Sequence, residues 1–497
     1  MLAKIKLSRD YAIGEVDRRI YGAFLEHLGR AVYGGVYEPG HESADSDGFR
    51  EDVLALVRQL NMPIVRYPGG NFVSGYRFQD GIGPKELRPQ RAELAWRTIE
   101  TNQFGIDDFY KWAKKADTDV MLAVNLGTGT PQDAGDLVEY CNFEGGTYYS
   151  DLRKKHGFAE PFHVKTWCLG NEMDGNWQIC TKTAEEYGRI ACESAKIMKW
   201  VDPTIELVAC GSSGLGMPTF GNWERIVLEH TYEYVDYISL HTYYGDYDND
   251  PAAFLGRSVQ MEQFIKSVAV VCDYVKAVKR SDKTLYLSFD EWNVWYHKGI
   301  REDDRGEPWQ IAPAQLEDNY TFLDALVVGC MLNALLRNAD RVKMACLAQL
   351  VNVIAPIMTE TGGRVFAQTI FYPYFYASNY GKGKVLDAIV DCGSYDTKDV
   401  KGVPYLDSVC ILNEEDDTLV VFAVNRSLDS DVTLSLQFSE QESLTLIEHA
   451  ELCHADLNIT NTADCPDAVV PVQKAVLADS DISLAPHSWN MLRFSLK

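Results

Sequence analysis

The stretch Trp167-Cys168-Leu169-Gly170-Asn171-Glu172-Met173-Asp174-Gly175 follows an apolar run and leaves an amide and a carboxylate side by side. Such a run is typical of a strand buried on both faces. Gly170 gives the backbone freedom to turn where the strand ends. A second stretch, Leu285-Tyr286-Leu287-Ser288-Phe289-Asp290-Glu291-Trp292-Asn293, also passes from an apolar strand to an acid. We therefore expect Glu172 and Glu291 to face each other across one pocket.

The segments around these two stretches alternate between strand and helix patterns. Strands are predicted at residues 20–27, 63–67, 119–126, 164–169, 205–210, 235–240, 285–291 and 342–350. Helices are predicted at residues 52–60, 106–116, 184–198, 222–229, 261–280 and 316–337. This alternation predicts an α/β fold, a (β/α)8 TIM barrel with long loops over residues 18–380.

The pattern changes after residue 380. Strand-like runs at residues 408–412, 418–424, 432–438 and 491–496 are separated by polar turns. They indicate an all-β jelly roll or sandwich. Because residues 3–7 also have a β pattern, we assign residues 1–17 and 381–497 together to this second domain.

Composition limits the classes of partner. The 497 residues suit a large barrel with an accessory domain, and a net charge of −25 argues against a nucleic-acid or anionic-membrane surface. We find neither a signal-peptide core nor an apolar run long enough to span a membrane. The twelve cysteines are scattered and form no C-x-x-C pair, as expected of reduced thiols in the cytoplasm. We therefore expect a cytoplasmic protein.

Polar residues mark the ends of the predicted strands, where the active site of such a barrel forms. They are Glu26, Asn71, Asn125, Asn171, Glu172, Tyr243, Glu291 and Gln349. Strict side-chain alternation would place Glu291 on the side of Phe289 and Leu287, and Asp290 on the opposite side. Glu291 is then the inward acid and Asp290 a structural one. Either glutamate alone could be a satisfied structural carboxylate, but each occupies the same point of its own strand.

Two facing carboxyl groups suit the cleavage of a glycosidic bond. One protonates the leaving oxygen and the other meets the developing oxocarbenium ion. The distance between them decides between retention and inversion, and the sequence leaves both open. The amide of Asn171, next to Glu172, is placed to bind the sugar hydroxyl beside the anomeric carbon.

Three motifs resemble those of glycoside hydrolase family 51, whose type activity is intracellular α-L-arabinofuranosidase. They are Arg66-Tyr67-Pro68-Gly69-Gly70-Asn71, Cys168-Leu169-Gly170-Asn171-Glu172-Met173-Asp174-Gly175 and Asp290-Glu291-Trp292-Asn293-Val294-Trp295-Tyr296. The motifs occur in the family's order, and the similarity extends along essentially the whole chain.

The resemblance implies an exo-acting, retaining enzyme that releases terminal α-L-arabinofuranosyl residues from short oligosaccharides. It implies that Glu172 is the general acid/base and Glu291 the nucleophile. The residues implied or suggested to contact the sugar are Glu26, Asn71, Asn171, Tyr243, Gln349, Trp96, Trp177, Trp295 and His241. The resemblance also implies a homo-oligomer, commonly a hexamer.

Other functions remain as alternatives. A related retaining activity, such as endo-β-glucanase, β-xylosidase or galactofuranosidase, would use the same acids, and a noncatalytic sugar-binding protein could keep the barrel. We expect no cofactor and no catalytic metal, because His27, His241 and His297 lack the paired spacing of metal ligands and no dinucleotide or phosphate-loop motif is present. The sequence does not determine the linkage preference or the parent polysaccharide.

Overall fold

Eight parallel strands close into a barrel in the computed structural model, which describes residues 1–295, 306–438, 443–476 and 482–496. The strands are β1 (Gly22–Phe24), β2 (Ile64–Tyr67), β3 (Asp119–Val124), β4 (Thr166–Leu169), β5 (Glu206–Ala209), β6 (Tyr237–Tyr244), β7 (Tyr286–Val294) and β8 (Val342–Ala348). Each strand pairs in parallel with the next one along the chain, and β8 pairs with β1. The predicted barrel is confirmed.

Helices connect the barrel strands, and one more, Phe371–Tyr380, follows β8. They are Glu51–Gln59, Ile106–Ala116, Pro131–Asn142, Tyr148–Lys155, Ala184–Val201, Asn222–Thr231, Pro251–Leu255, Arg257–Lys279, Phe322–Leu336 and Phe371–Tyr380. Short 3-10 helices cover Arg18–Tyr21, Asn71–Gly75, Phe78–Gly81 and Lys85–Leu87. The predicted helix at residues 316–337 begins later, because the Thr321 side chain caps the backbone N–H of Asp324. None of the helices in the described ranges has both the length and the apolar composition needed to cross a membrane.

Two apolar layers hold the barrel together. Inside it, residues such as Phe24, Met121, Cys168 and Met344 form one cluster. Outside it, a larger cluster packs the strands against the surrounding helices. This double burial is why the barrel strands are nearly continuous apolar runs. Towards the C-terminal ends of the strands, the apolar interior gives way to buried polar side chains, and these form the site described below.

The long loop after β2 folds over the C-terminal mouth. It contains a two-stranded hairpin, Arg91–Glu93 paired with Thr98–Glu100, whose turn carries Trp96. The Glu93 carboxylate accepts hydrogen bonds from the backbone N–H groups of Ala95 and Trp96, both at 2.7 Å. A turn held by its own side chain in this way gives Trp96 a defined position over the mouth.

The rest of the described chain is mainly β. A seven-stranded sheet contains Ala12–Glu15, Lys384–Leu386, Leu406–Asn413, Thr418–Asn425, Ser488–Leu496, Leu444–Leu452 and Val472–Gln473, in that order. A four-stranded sheet contains Ile389–Asp391, Leu2–Leu7, Val432–Phe438 and Ile482–Leu484. Two further two-stranded pieces are Ile357–Thr359 with Val365–Ala367, and Ser394–Tyr395 with Val403–Pro404.

The two larger sheets share one apolar cluster, as in a β sandwich. That cluster contains Ile5 and Leu434 from the four-stranded sheet and Leu412 and Phe494 from the seven-stranded sheet. The predicted all-β domain is confirmed, and the first strand of the chain belongs to it through parallel pairing with Val432–Phe438. The exact domain limits stay a prediction.

Candidate active site

A cavity of about 590 Å³ opens at the C-terminal mouth of the barrel, and both glutamates line it. Its walls are Phe24, Glu26, Leu28, Gly70, Asn71, Leu94, Ala95, Trp96, Glu172, Trp177, Ile179, Ser213, Tyr243, Glu291, Trp295, Leu316, Gln349 and Ile354. Nine of the eleven residues assigned to the site from the sequence are among them. The other two, Asn171 and His241, lie directly behind the wall and contact the lining carboxylates or their partners.

The two carboxylates are close together. One oxygen of Glu172, one oxygen of Glu291 and one ring nitrogen of His241 lie within 4.8 Å of one another. Retaining glycosidases hold their carboxyl groups about 5–5.5 Å apart, whereas inverting enzymes leave a wider gap for water. The observed spacing therefore favours direct attack by a carboxylate over attack by a water held between the two.

Glu291 is held by two donors. The guanidinium of Arg66 donates to Oε1 at 2.7 Å, and the hydroxyl of Tyr243 donates to Oε2 at 2.8 Å. Burial and, after it, the charge of Glu291 raise the pKa of Tyr243 well above its ordinary value, so this residue remains a donor at neutral pH. A carboxylate with a neighbouring cation and fixed donors has the charge and the orientation that a nucleophile needs.

The expected orientation of Asp290 is wrong. The register between β6 and β7 shifts at this point. Ser288 pairs with Ser239 and Glu291 pairs with His241, so three residue steps in β7 match two in β6. This extra residue is a β-bulge, which re-aims the side chains that follow it. Ordinary alternation from the outward-facing Phe289 points Asp290 into the barrel, where it lies 3.5 Å from Cys168 Sγ, and the bulge turns Glu291 to the same side. Phe289 faces outward and packs on Phe264.

His241 joins the carboxylates of both stretches. Its Nδ1 lies 2.9 Å from Glu172 Oε1 and its Nε2 lies 3.0 Å from Asp290 Oδ1. Burial opposes a charge on the ring, but the charge of Glu291 and the hydrogen bonds to Asp290 and Glu172 raise the pKa of His241 well above its ordinary value. A carboxylate oxygen faces each ring nitrogen, so both nitrogens of His241 are engaged in hydrogen bonds.

Glu172 stands on a strained backbone just after β4. Its φ of 43° lies in the left-handed region, and the preceding turn uses Gly170 at a φ of 87°. Non-glycine residues adopt this region rarely, and strain of this kind is concentrated at functional sites. The second carboxylate oxygen accepts a hydrogen bond from Trp177 Nε1 at 2.6 Å. The Trp177 side chain is 49% exposed, so this donor lies at the outer rim of the cavity.

Arg66 is the functional residue that sequence reasoning passed over. Its side chain is 1% exposed, and it donates to Glu291 and, at 2.7 Å, to Asn171 Oδ1. Its Nε lies 3.7 Å from Asp290 Oδ2, and its guanidinium lies over the Phe24 ring. The sequence did carry a signal for this role, because Arg66 is a charged residue inside an otherwise apolar strand. A buried charge of this kind needs buried partners.

Glu26 and Gln349 form a second polar wall. The Gln349 amide donates to Glu26 Oε2 at 3.2 Å and accepts from the Glu26 backbone N–H at 3.1 Å. Glu26 Oε1 accepts from the Phe72 backbone N–H and from Trp96 Nε1. Burial raises the pKa of Glu26 to about 8. At neutral pH this carboxyl is therefore mainly protonated, and it can both donate and accept towards a sugar hydroxyl.

The remaining site residues surround the same space. Asn71 starts a 3-10 helix at the cavity wall, and Trp295 packs edge-on against Tyr243 with ring centroids 5.2 Å apart. Asn171 Nδ2 is buried and has no hydrogen-bond partner in the described residues. An unsatisfied buried donor beside two carboxylates suits a ligand hydroxyl. His27 instead bonds Glu100 and Tyr67 away from the cavity.

A parallel eight-stranded barrel with two convergent carboxylates at its C-terminal mouth defines a glycoside hydrolase. The family comparisons specify which kind. A model described as the α-L-arabinofuranosidase 1 domain matches residues 56–252, and one described as the α-L-arabinofuranosidase C-terminal domain matches residues 290–488. The chain belongs to the α-L-arabinofuranosidases of glycoside hydrolase family 51, as its motifs indicated. Tyr296 and His297 lie outside the described residues.

Individual relatives match over nearly their full lengths. The chain is 56% identical to an intracellular exo-α-(1→5)-L-arabinofuranosidase 1 from Bacillus subtilis, over 99% of this chain and 98% of that protein. It is 45% identical to an exo-α-(1→6)-L-arabinofuranosidase from Bifidobacterium longum, over 98% and 96%. A solved family 51 α-L-arabinofuranosidase from Bifidobacterium longum superposes with a TM-score of 0.94 at 43% identity, over 99% of both chains.

Proposed function

We propose that this chain is an exo-acting α-L-arabinofuranosidase that works by double displacement, with Glu291 as the nucleophile and Glu172 as the general acid/base. Family membership supports the activity. The double-displacement mechanism rests on one observation, the approach of the two carboxylates and His241 to within 4.8 Å of one another at the barrel mouth. That spacing suits a sugar bound between the carboxylates. The Arg66 and Tyr243 donors at Glu291 support its role as the nucleophile.

In the first step, Glu291 attacks the anomeric carbon while Glu172 protonates the departing glycosidic oxygen. The carbon–oxygen bond to the leaving group breaks as the bond to the Glu291 carboxylate forms. Arg66 and Tyr243 hold both oxygens of the nucleophile, so the lone pairs directed at the sugar are fixed before attack. Asn171 offers its unpartnered amide N–H to the hydroxyl next to the anomeric carbon.

In the second step, Glu172 acts as a base. It takes a proton from water, the water oxygen attacks the anomeric carbon, and the bond to Glu291 breaks. Both oxygens of Glu172 already accept hydrogen bonds, from His241 and from Trp177, which suits its ionised form. To act as the acid in the first step, Glu172 has to carry a proton on Oε2 and direct it at the glycosidic oxygen, which takes the place of the Trp177 N–H.

Variants of the two glutamates test these roles. Glu172→Ala should keep activity on an arabinoside with a good leaving group, stall at deglycosylation, and yield a glycosyl azide of retained configuration when azide is added. Glu291→Ala should be inactive with every leaving group. An inverted azide from the first variant, or substantial residual activity in the second, would contradict the assignment.

The nature of the sugar needs its own experiment. Wild-type protein should hydrolyse 4-nitrophenyl α-L-arabinofuranoside and initially release the α anomer of arabinose. NMR spectra recorded before mutarotation measure which anomer is released first. The β-xyloside and the galactofuranoside should be poor substrates. If one of them is preferred, the related retaining activity replaces the leading proposal. Because relatives named for 1→5 and for 1→6 linkages both match, oligosaccharides of each linkage should be compared.

A cytoplasmic location and a homo-oligomer, with a hexamer as the expected size, are also part of the proposal. The word intracellular in the Bacillus subtilis relative's name supports the location. Light scattering coupled to size exclusion measures the oligomer directly. A mass of one 55.9 kDa chain would contradict an oligomer.

A further inference from the structure

The catalytic cavity borders a second cavity along the hairpin, and that cavity borders a third. The next cleft has a volume of about 260 Å³ and shares Leu94 and Ile179 with the catalytic cavity. A third cavity, of about 370 Å³, shares Tyr76, Arg77 and two other residues with that cleft. The three cavities lie in a row that starts at the glutamates, and we call the two outer cavities together the outer cleft.

The outer cleft begins on the side from which a leaving group departs. The general acid protonates the leaving oxygen, so the leaving chain lies on the side of Glu172. The loop that follows Glu172 carries Trp177 and Ile179, and Ile179 lies at the entrance of the outer cleft. Leu94, at the hairpin turn and 64% exposed, also borders that entrance. A leaving chain therefore passes between these two apolar side chains.

The walls of the outer cleft are fixed by hydrogen bonds. The backbone N–H and the hydroxyl of Thr128 both donate to the Ser74 carbonyl, at 3.0 and 3.1 Å. Across the cleft, Arg91 on the hairpin makes two hydrogen bonds with the Asp80 carboxylate, at 2.8 and 3.1 Å. Walls that are ordered before binding reduce the entropy cost of binding a flexible chain.

The chemistry of the outer cleft suits sugar hydroxyls. Arg77 lines both outer cavities, is exposed, and its guanidinium has no hydrogen-bond or ion-pair partner within the ranges that the structure describes. Its N–H groups are available as donors, and Leu94 and Ile179 provide apolar contact for a ring face. Sites for small molecules commonly combine a few directed polar groups with apolar surface in this way.

We propose that the outer cleft binds the second and later sugar units of an uncharged, linear oligosaccharide leaving group, with Arg77 donating hydrogen bonds to their hydroxyls. This inference rests on the proposed function, because it takes the arabinofuranosyl unit between the glutamates as the unit that is released. It makes the protein an enzyme that favours oligosaccharides longer than a disaccharide.

The test compares substrates of increasing length. For wild-type protein, kcat/KM should rise from the disaccharide to the tetrasaccharide in a linear arabinofuranosyl series. Arg77→Ala should lower kcat/KM for the tetrasaccharide by about five- to tenfold, the loss expected for one solvent-exposed hydrogen bond, mainly through KM. The same variant should leave 4-nitrophenyl α-L-arabinofuranoside unchanged, because this substrate has no second sugar.

Arg189→Ala is the matched control, since Arg189 is an exposed arginine on helix Ala184–Val201 and lines none of the three cavities. It should match wild type on every substrate. A wild-type kcat/KM that does not change with chain length would overturn the inference, and so would an Arg77→Ala loss that is equal for all lengths. Inactivity of wild-type protein on the aryl arabinofuranoside would instead overturn the proposed function.

Discussion

Replacing Arg66 with lysine tests whether the nucleophile depends on a buried guanidinium. Arg66 reaches Glu291 through one terminal nitrogen and Asn171 through the other, each at 2.7 Å. A lysine keeps the positive charge but has a single ammonium on a narrower stem, so it cannot make both contacts in this geometry. The substitution therefore removes one contact and keeps the charge.

The size of the effect follows from the contact that is lost. A hydrogen bond involving a charged group contributes about 1.5–3 kcal/mol, and each 1.36 kcal/mol of barrier is tenfold in rate. If the lost contact acts mainly in the transition state, kcat for Arg66→Lys falls roughly 10- to 150-fold. Because both partners are buried, the variant should also unfold at a lower temperature than wild type.

The assay measures kcat, KM and the melting temperature with 4-nitrophenyl α-L-arabinofuranoside as the substrate. Arg153→Lys is the matched control, because Arg153 is fully buried and, among the described residues, donates only to backbone carbonyls, including those of Tyr140 and Phe143. The melting temperature of Arg153→Lys should fall, while its kcat should equal that of wild type. The reasoning is refuted if Arg66→Lys retains wild-type kcat, or if the two variants lose activity to the same extent.

Three further outcomes are expected. Asp290→Asn should lower kcat about tenfold, with little change in KM, because Asp290 bonds His241 behind the cavity wall and does not line it; a change confined to KM would contradict this. Burial raises the pKa of Glu93 to about 7, so its contribution to stability is present below its ordinary pKa and is lost as the pH rises through 7. Between pH 6 and 8, the melting temperature of wild type should therefore fall more than that of Glu93→Gln. If the two melting temperatures change in parallel with pH, the raised pKa of Glu93 is refuted. EDTA should leave kcat unchanged, since both ring nitrogens of His241 are hydrogen-bonded to carboxylates; a loss of activity restored by zinc would contradict this expectation.

Local patterns were sufficient wherever burial alone decides the structure. The apolar run that became β4 has four buried residues, and the helix predicted at residues 106–116 is observed as Ile106–Ala116. A buried parallel strand and an amphipathic helix each leave a pattern in consecutive residues. The ends of those strands then located Glu172 and Glu291 at the mouth, because every parallel strand of a barrel ends on the same face.

The sequence pattern failed to predict side-chain orientation where one extra residue shifts the pairing register between two strands. Strict alternation placed Asp290 and Glu291 on opposite sides of β7, but Asp290 faces inward and the bulge before Glu291 turns Glu291 to the same side. Nothing in the apolar run Leu285 to Phe289 signals that extra residue. It follows from pairing with the neighbouring strand, which is a property of the closed barrel and not of the segment.

By itself, the sequence determined the barrel, the β-rich domain, the position of two acids at strand ends and, through its motifs, the family. Only the tertiary structure decided which groups control those acids. Arg66 reaches Asn171 and Glu291 from 105 and 225 residues away along the chain, and His241 lies between Glu172 and Asp290. The physical reason is that burial shows in consecutive residues, whereas hydrogen bonds and charge interactions depend on distances in space that no local pattern records.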